Sequence, residues 1–177
     1  MTDDTFFDTD CLSAFLWIND TDILQALYRG KIVLPDPVYQ ELSNPCIPHI
    51  KKRVDGLLRD GTALIQQINI GTEEYKLYDS LVKGLDGQKR IGRGEAAGIA
   101  LAKTRNGILA SNNYRDILPY IKKYGIRHID TGSILKEALR KKLITEPEGN
   151  VIWQKMLDKN RKLPADTFSE YLNGIPL

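Results

Sequence analysis

Short apolar runs alternate along the chain with longer amphipathic stretches. The runs TFFD (5–8), KIVLP (31–35), ALIQQINI (63–70), ILAS (108–111) and IRHID (126–130) have the length and the branched or aromatic content of strands. Between them lie helical patterns. CLSAFLW (11–17) is densely apolar, and NDTDILQALYRG (19–30) offers Asn19 or Asp20 as a cap and Gly30 as a stop. In DPVYQELSN (36–44), Asp36 is placed to cap and Pro37 to occupy the first turn. HIKKRVDGLLRDG (49–61) puts Ile50, Val54, Leu57 and Leu58 on one side and its basic residues on the other. TEEYKLYDSLVKGL (72–85), EAAGIALAKTRNG (95–107) and RDILPYIKKYG (115–125) follow; Pro119 in the last is tolerable if it lies in the first turn. DGQKRIGRG (86–94) reads as a polar, glycine-rich loop. GSILKEALRKKLI (132–144) is helical, TEPEGN (145–150) a turn, and VIWQKMLDKN (151–160) and PADTFSEYL (164–172) further helical patches.

Strands alternating with helices imply parallel pairing through crossovers. The expected fold is α/β: a three-layer α/β/α sandwich with a short central parallel sheet and extra C-terminal helices. Residues 1–135 are expected to form the α/β domain, with 136–177 a helical extension packed on it.

Composition narrows this little. The 177 residues are enough for one core, and 42% hydrophobic with 27% charged residues is ordinary for a globular protein. A net charge of +2 neither identifies nor excludes a nucleic-acid binder. The two cysteines, Cys11 and Cys46, are too few for a zinc cluster and fit a reducing compartment. The acidic start MTDDTFFDTD lacks a signal-peptide pattern, and no apolar run approaches the roughly 18–20 residues of a membrane span. A soluble, cytoplasmic protein without membrane contact is expected.

The acids change the picture. In parallel α/β sheets, functional groups gather beyond the carboxyl ends of the strands. Asp8 ends the first strand, with Asp10 two residues on; either can also serve as a helix cap. Glu41 borders an apolar helix face formed by Val38, Tyr39 and Leu42, so it either looks into the fold or lies exposed on the helix. Glu95 stands at the mouth of a helix that is almost wholly apolar from Ala96 to Ala102, where the helix dipole alone would also favour an acid. Asp116 in SNNYRDIL is placed to cap a helix and can still offer an oxygen elsewhere. Together they are four acids in successive units of the fold. A carboxylate cluster without His or Cys is a hard oxygen donor set suited to Mg²⁺ or Mn²⁺. Such charges do not stay ionised side by side without a cation. The chemistry that fits is phosphodiester hydrolysis.

FFDTDCLSAF, VLPDPVYQEL and RGEAAGIALAKTRNGILASNNYRDI, in this order and strand context, resemble the PIN-domain ribonucleases, in particular toxins of bacterial toxin–antitoxin pairs. The resemblance spans roughly Phe6 to Leu135. It implies a nuclease quartet of Asp8, Glu41, Glu95 and Asp116, with Asp8, Glu95 and Asp116 as ligands of Mg²⁺ or Mn²⁺. Thr9, Asp10, Asn112 and Asn113 occupy its supporting positions. An RNA substrate, a protein antitoxin and a homodimer are the partners it implies. Two departures stand out: the third acid is Glu rather than the commoner Asp, and asparagines occupy a segment where some members carry a further Asp.

Among basic segments, QKRIGR directly precedes Glu95, so Lys89, Arg90 and Arg93, with Arg115 beside Asp116, are the residues expected to grip a phosphate backbone. KKR (51–53) and RKK (140–142) read as solvated helix faces, His49 and His128 as structural or surface residues, and Trp17 and Trp153 as core or interface residues rather than base-stacking platforms. Two other functions remain open. The Asp8-Thr9-Asp10 pattern also mimics a haloacid-dehalogenase-like phosphatase, with Asp8 as nucleophile and Asp10 as acid. The asparagines of SNNYRD equally suit a non-catalytic PIN-like module that binds RNA without cutting it.

Overall fold

The structure is a computed structural model that describes residues 3–85 and 89–174. In chain order its elements are β1 (Thr5–Phe7), α1 (Thr9–Ile18), α2 (Asp22–Tyr28), β2 (Ile32–Pro35), α3 (Asp36–Leu42), α4 (Pro48–Arg59), β3 (Ala63–Gln66), α5 (Glu73–Lys83), α6 (Arg93–Thr104), β4 (Ile108–Ala110), α7 (Tyr114–Tyr124), β5 (Arg127–Ile129), α8 (Thr131–Arg140), α9 (Glu146–Asp158) and α10 (Phe168–Leu172). The strands form one sheet in the order β3-β2-β1-β4-β5, and every pairing is parallel. This is the expected three-layer architecture. The first two residues of the DGQKRIGRG loop and its third, 86–88, lie outside the described residues.

The layers follow from strand alternation, which sends neighbouring side chains to opposite faces. Phe7 joins one apolar cluster with Phe15 of α1, Val38 of α3, Val54 of α4, Ile134 of α8, Trp153 of α9 and Phe168 of α10. Phe6 joins the other, with Leu81 of α5, Ile99 of α6 and Ile117 of α7. The elements after residue 135 therefore share a core with β1 and α1. On the second face, α6 comes very near the sheet: a Cβ on Gly98 would lie 2.8 Å from Leu109 Cδ1. Among the described residues, no helix is long and apolar enough to cross a membrane.

Several local expectations are corrected. Asn19 does not start α2; it adopts a left-handed conformation that ends α1, and Thr21 precedes α2 without a side-chain cap bond. Pro35, not Asp36, is the capping position of α3, and Asp36 is its first residue. Pro119 lies inside α7, beyond the first turn, so the helix forgoes one backbone bond there. TEPEGN is no turn: the Thr145 hydroxyl accepts from the Glu148 amide while the Glu148 carboxylate accepts from the Thr145 amide, and this reciprocal cap starts α9. The last patch is helical only from Phe168 to Leu172.

Candidate active site at the carboxyl edge of the sheet

β1 and β4 are hydrogen-bonded neighbours that end level, Phe7 opposite Ala110. The segments leaving them must therefore meet. The Asp8 amide donates to the Ala110 carbonyl at 2.9 Å, and the Asp8 side chain caps α1 by accepting from the Cys11 amide at 2.7 Å. Only Oδ1 is used in this way. Oδ2 is buried without a hydrogen-bond partner among the described residues, in a side chain left 1% exposed. Burial pushes the Asp8 carboxyl up to about 7; Ser111 and the Cys11 amide oppose the rise, and the charges of Asp10 and Glu95 add to it.

Glu95 enters the same cleft from the first turn of α6. Its Oε2 accepts from the Gly92 amide at 3.3 Å, and its Oε1 accepts from Asn113 Nδ2. Partial burial lifts its pKa above the ordinary value, opposed by the Asn113 and Gly92 bonds and reinforced by Asp116 and Asp10. Gly94 lets α6 approach so closely: a Cβ there would lie 3.1 Å from Thr9 Oγ1 and 3.2 Å from Glu41 Oε2. Glu41 is exposed on α3 rather than turned into the fold, which settles the alternative left open by its apolar neighbours. Its carboxylate nonetheless bends to the cleft and accepts from the Thr9 hydroxyl. Asp8, Thr9, Asp10, Glu41 and Glu95 thus line one opening of about 210 Å³.

Asp116 sits differently. Asn113, not Asp116, is the capping position of α7, and its side chain makes no cap bond. Asn113 Nδ2 instead bridges the site, donating to Asp116 Oδ2 at 3.0 Å as well as to Glu95. Lys89 Nζ donates to Asp116 Oδ1 at 2.8 Å, and Arg115 Nε lies 3.8 Å from the same oxygen. The Lys89 bond, followed by that of Asn113, holds the Asp116 carboxyl below its ordinary range.

The family model described as PIN domain matches residues 5–175. The chain belongs to the PIN-domain family. No curated protein matches it in sequence. Among solved structures it is similar to a chain in the crystal structure of DNA-bound VapBC from Salmonella typhimurium, at 14% identity and a TM-score of 0.54. That match covers 73% of this chain and 99% of the other. PIN domains are generally nucleases, and the Asp8-Thr9-Asp10 pattern that also suits a phosphatase here belongs to a PIN fold.

Within this PIN domain the remaining expected residues divide. Asn112 is spent on the fold: its side chain accepts from the Thr131 amide and donates to the Thr131 hydroxyl, both at 2.9 Å, tying β4 to α8. Of the basic residues, Lys89 and Arg115 reach the acids. Arg90 Nε turns away to the Lys83 carbonyl, and Arg93 Nε donates to the Tyr78 hydroxyl while bordering a shallow cleft beside Glu41. A larger cleft of about 320 Å³ adjoins the acids, and its far wall is Asn160, Arg161 and Lys162. These residues went unnoticed in the sequence. Their signal was a basic pair after an asparagine that ends α9 in a left-handed turn.

Among the described residues, no three Asp, Glu, His or Cys side chains stand close enough, as oriented, to form a metal cage. The donor chemistry still fits a hard divalent cation. Asp8 offers a buried, partnerless oxygen, Glu95 is a second strained carboxylate, and Mg²⁺ keeps several waters, so one or two protein carboxylates suffice.

Proposed function

We propose that this PIN domain is a divalent-metal-dependent endoribonuclease that hydrolyses RNA phosphodiester bonds in the cytoplasm. We further propose that it is the toxin of a toxin–antitoxin pair, held by a protein antitoxin and able to form a homodimer. The partner assignments draw on the likeness to VapBC and on the motifs; the hydrolytic assignment draws on the acid cleft. One observation carries it: the partnerless Oδ2 of Asp8, buried beside Glu95 and Glu41 at the carboxyl edge of the sheet. Burying a carboxylate oxygen without a partner is costly, and a bound cation would relieve that cost.

Asp8 and Glu95 would hold Mg²⁺ or Mn²⁺, with Asp116 joining once Lys89 is displaced. When bound, the cation supplies Lewis-acid polarisation of the phosphate and a more acidic water. Asn113 orients Glu95 and Asp116 through its bridging amide. Glu41, fixed by the Thr9 hydroxyl at the open side, is placed to accept the proton of an attacking water. Asp10 faces the same opening and adds negative potential that favours the cation. Lys89, Arg90, Arg93 and Arg115 provide positive charge for the phosphate backbone on either side.

The test is RNA cleavage by the purified chain in EDTA, Mg²⁺ and Mn²⁺. Cleavage is expected only with a divalent cation, and Asp8→Asn is expected to abolish it. A second reading has one observation behind it: asparagines at 112 and 113, and a lysine on Asp116, leave few free acids. A module that only binds RNA would retain it in all three conditions without a cut, and that outcome would overturn the hydrolytic proposal.

A further inference from the structure

The clefts along the carboxyl edge are not separate. The acid opening shares Asp10 with the cleft walled by Arg161 and Lys162, and that cleft shares Asn112 with a third one, of about 260 Å³, lined by Asn112, Tyr114, Asp130 and Pro164. The three clefts adjoin one another along this edge, and their chemistry changes from one to the next. The acids are followed by a stretch with Arg115, Arg161 and Lys162. Among the described residues, no cation lines the third cleft. It contains Asp130, whose Oδ1 accepts from the Ser133 amide and hydroxyl and from the Tyr171 hydroxyl. The acidic Asp130 disfavours a phosphate there, and the exposed Tyr114 ring offers a flat apolar face. Tyr114 is 54% exposed, and one side of its ring rests on His128, with centroids 5.7 Å apart.

The wall contributed by the C-terminal segment is held in place. After α9, the Asn160 and Arg161 amides bond back to the carbonyls of Leu157 and Met156 at 2.8 and 3.0 Å. The Arg161 guanidinium lies over the Trp17 ring, 5.4 Å from its centroid, and its Nε donates to the Lys159 carbonyl at 2.9 Å. Trp153 Nε1 fixes the next residues by donating to the Ala165 carbonyl at 3.0 Å. Arg161 Nη1 also lies 3.4 Å from Ser13 Oγ, and among the described residues neither Arg161 nor Lys162, both lining the cleft, is paired with a carboxylate.

We infer that Lys162, Arg161 and Arg115 seat a phosphate of single-stranded RNA next to the acids and that Tyr114 stacks the adjoining base, so that the C-terminal segment is part of the substrate site. The inference rests on the acids being an RNA-cleaving centre, but it is a statement about binding and can be measured apart from cleavage. A duplex keeps its bases stacked on each other and has none to offer Tyr114; a single strand can turn one out.

The experiment is fluorescence anisotropy with a labelled eight-nucleotide single-stranded RNA and the intact protein in EDTA, over a salt series. Tyr114→Ala is expected to weaken binding about tenfold with an unchanged salt slope, and Tyr114→Phe to keep wild-type affinity. Lys162→Ala is expected to flatten the salt slope by about one. Lys52→Ala, an equal loss of charge on the exposed side of α4, should change neither. The same RNA annealed to its complement should bind more weakly than the strand. Wild-type binding by both Tyr114→Ala and Lys162→Ala, or a duplex that binds as tightly as the strand, would overturn the inference. If the variants behave as expected but no cation induces cleavage, the subsite stands and the hydrolytic proposal falls. If wild type cleaves and the variants bind unchanged, the reverse holds.

Discussion

Asp8 and Asp116 carry the same side chain on segments that leave adjacent strands, yet the fold treats them in opposite ways. Asp8 is buried, with one oxygen committed to the Cys11 amide and the other without a hydrogen bond among the described residues, and its carboxyl is raised to about 7 despite the nearby Ser111. Asp116 faces outward, receives Lys89, Arg115 and Asn113, and is depressed below the usual range. One wall of the cleft stores electrostatic strain that a cation or a proton relieves. The other is already neutralised by the protein's own lysine. The contrast teaches that the number of acids in a cleft is a poor measure of its affinity for a cation; what matters is which of them lack a partner.

The contrast breaks most sharply at Asp8. Asp8→Asn keeps an oxygen for the Cys11 amide and removes the partnerless charge. Cleavage is expected to fall by at least about 100-fold, read as initial rate on a labelled RNA in Mn²⁺. Stability should move the other way. A carboxyl whose folded pKa lies above its unfolded value, here about 7 against 3.8, favours the protonated folded state. It costs nothing below about pH 4. The penalty grows as pH rises from about 4 to 7 and is complete above 7, where it is on the order of 4 kcal/mol in the metal-free protein. Thermal melts in EDTA should therefore show Asp8→Asn gaining on wild type between pH 5 and pH 8. Mn²⁺ should raise the melting temperature of wild type alone. A variant that loses stability at pH 8 would show that the buried oxygen is satisfied after all.

The sequence announced the strained wall better than the neutralised one, and the reason is physical. Asp8 and Glu95 occupy positions defined locally, a strand end and a helix start after glycine, and a local pattern is enough to find them. The parallel order of the strands follows from alternation in the same way. Lys89 on Asp116 and Asn113 on Glu95 are long-range contacts that nothing within a short window encodes; only the Asn113–Asp116 bond is local. Arg161 and Lys162 return to the site only because α8 and α9 fold back over α1. The helical pattern there predicted elements and not where their connecting turn would land. Asn19, offered with Asp20 as a cap of α2, instead ends α1, because asparagine suits both a helix start and a left-handed stop and composition alone does not separate the two. The Thr145–Glu148 reciprocal cap did have a sequence signature, Thr-x-x-Glu, hidden within a proline- and glycine-containing stretch that resembles a turn.

Asn113 joins the two walls, and removing it sharpens the comparison. Its one amide group donates to a strained carboxylate and to a neutralised one at once. In Asn113→Ala, Glu95 loses the bond that opposes its raised pKa, and Asp116 keeps Lys89. Cleavage is expected to fall about 10- to 100-fold, the usual cost of losing a group that orients a metal ligand. The folded state should change little, because the side chain is only half-buried. Isothermal titration with Mn²⁺ would locate the loss. A weaker cation with an unchanged rate at saturation places the role of Asn113 in holding Glu95. An unchanged affinity would mean that Glu95 is oriented by Gly92 alone.

The smallest effect belongs to Lys89. Its side chain is 68% exposed, and an ion pair so open to water contributes little to stability, so Lys89→Ala should shift unfolding by no more than about 0.5 kcal/mol. Its informative effect is on the cleft. With Lys89 gone, Asp116 retains the Asn113 bond and only the more distant Arg115 charge, and the second wall comes to resemble the first. Mn²⁺ affinity is expected to rise, by a factor of about 2 to 5 given the modest strength of such a pair. RNA binding should lose about one unit of salt slope, because the same lysine is positioned for the phosphate backbone. The two changes oppose each other, so the rate at saturating Mn²⁺ and limiting RNA should drop while the cation requirement falls. An unchanged Mn²⁺ affinity would mean that Asp116 takes no part in holding the cation, and the strained wall of Asp8 and Glu95 would then account for all of it.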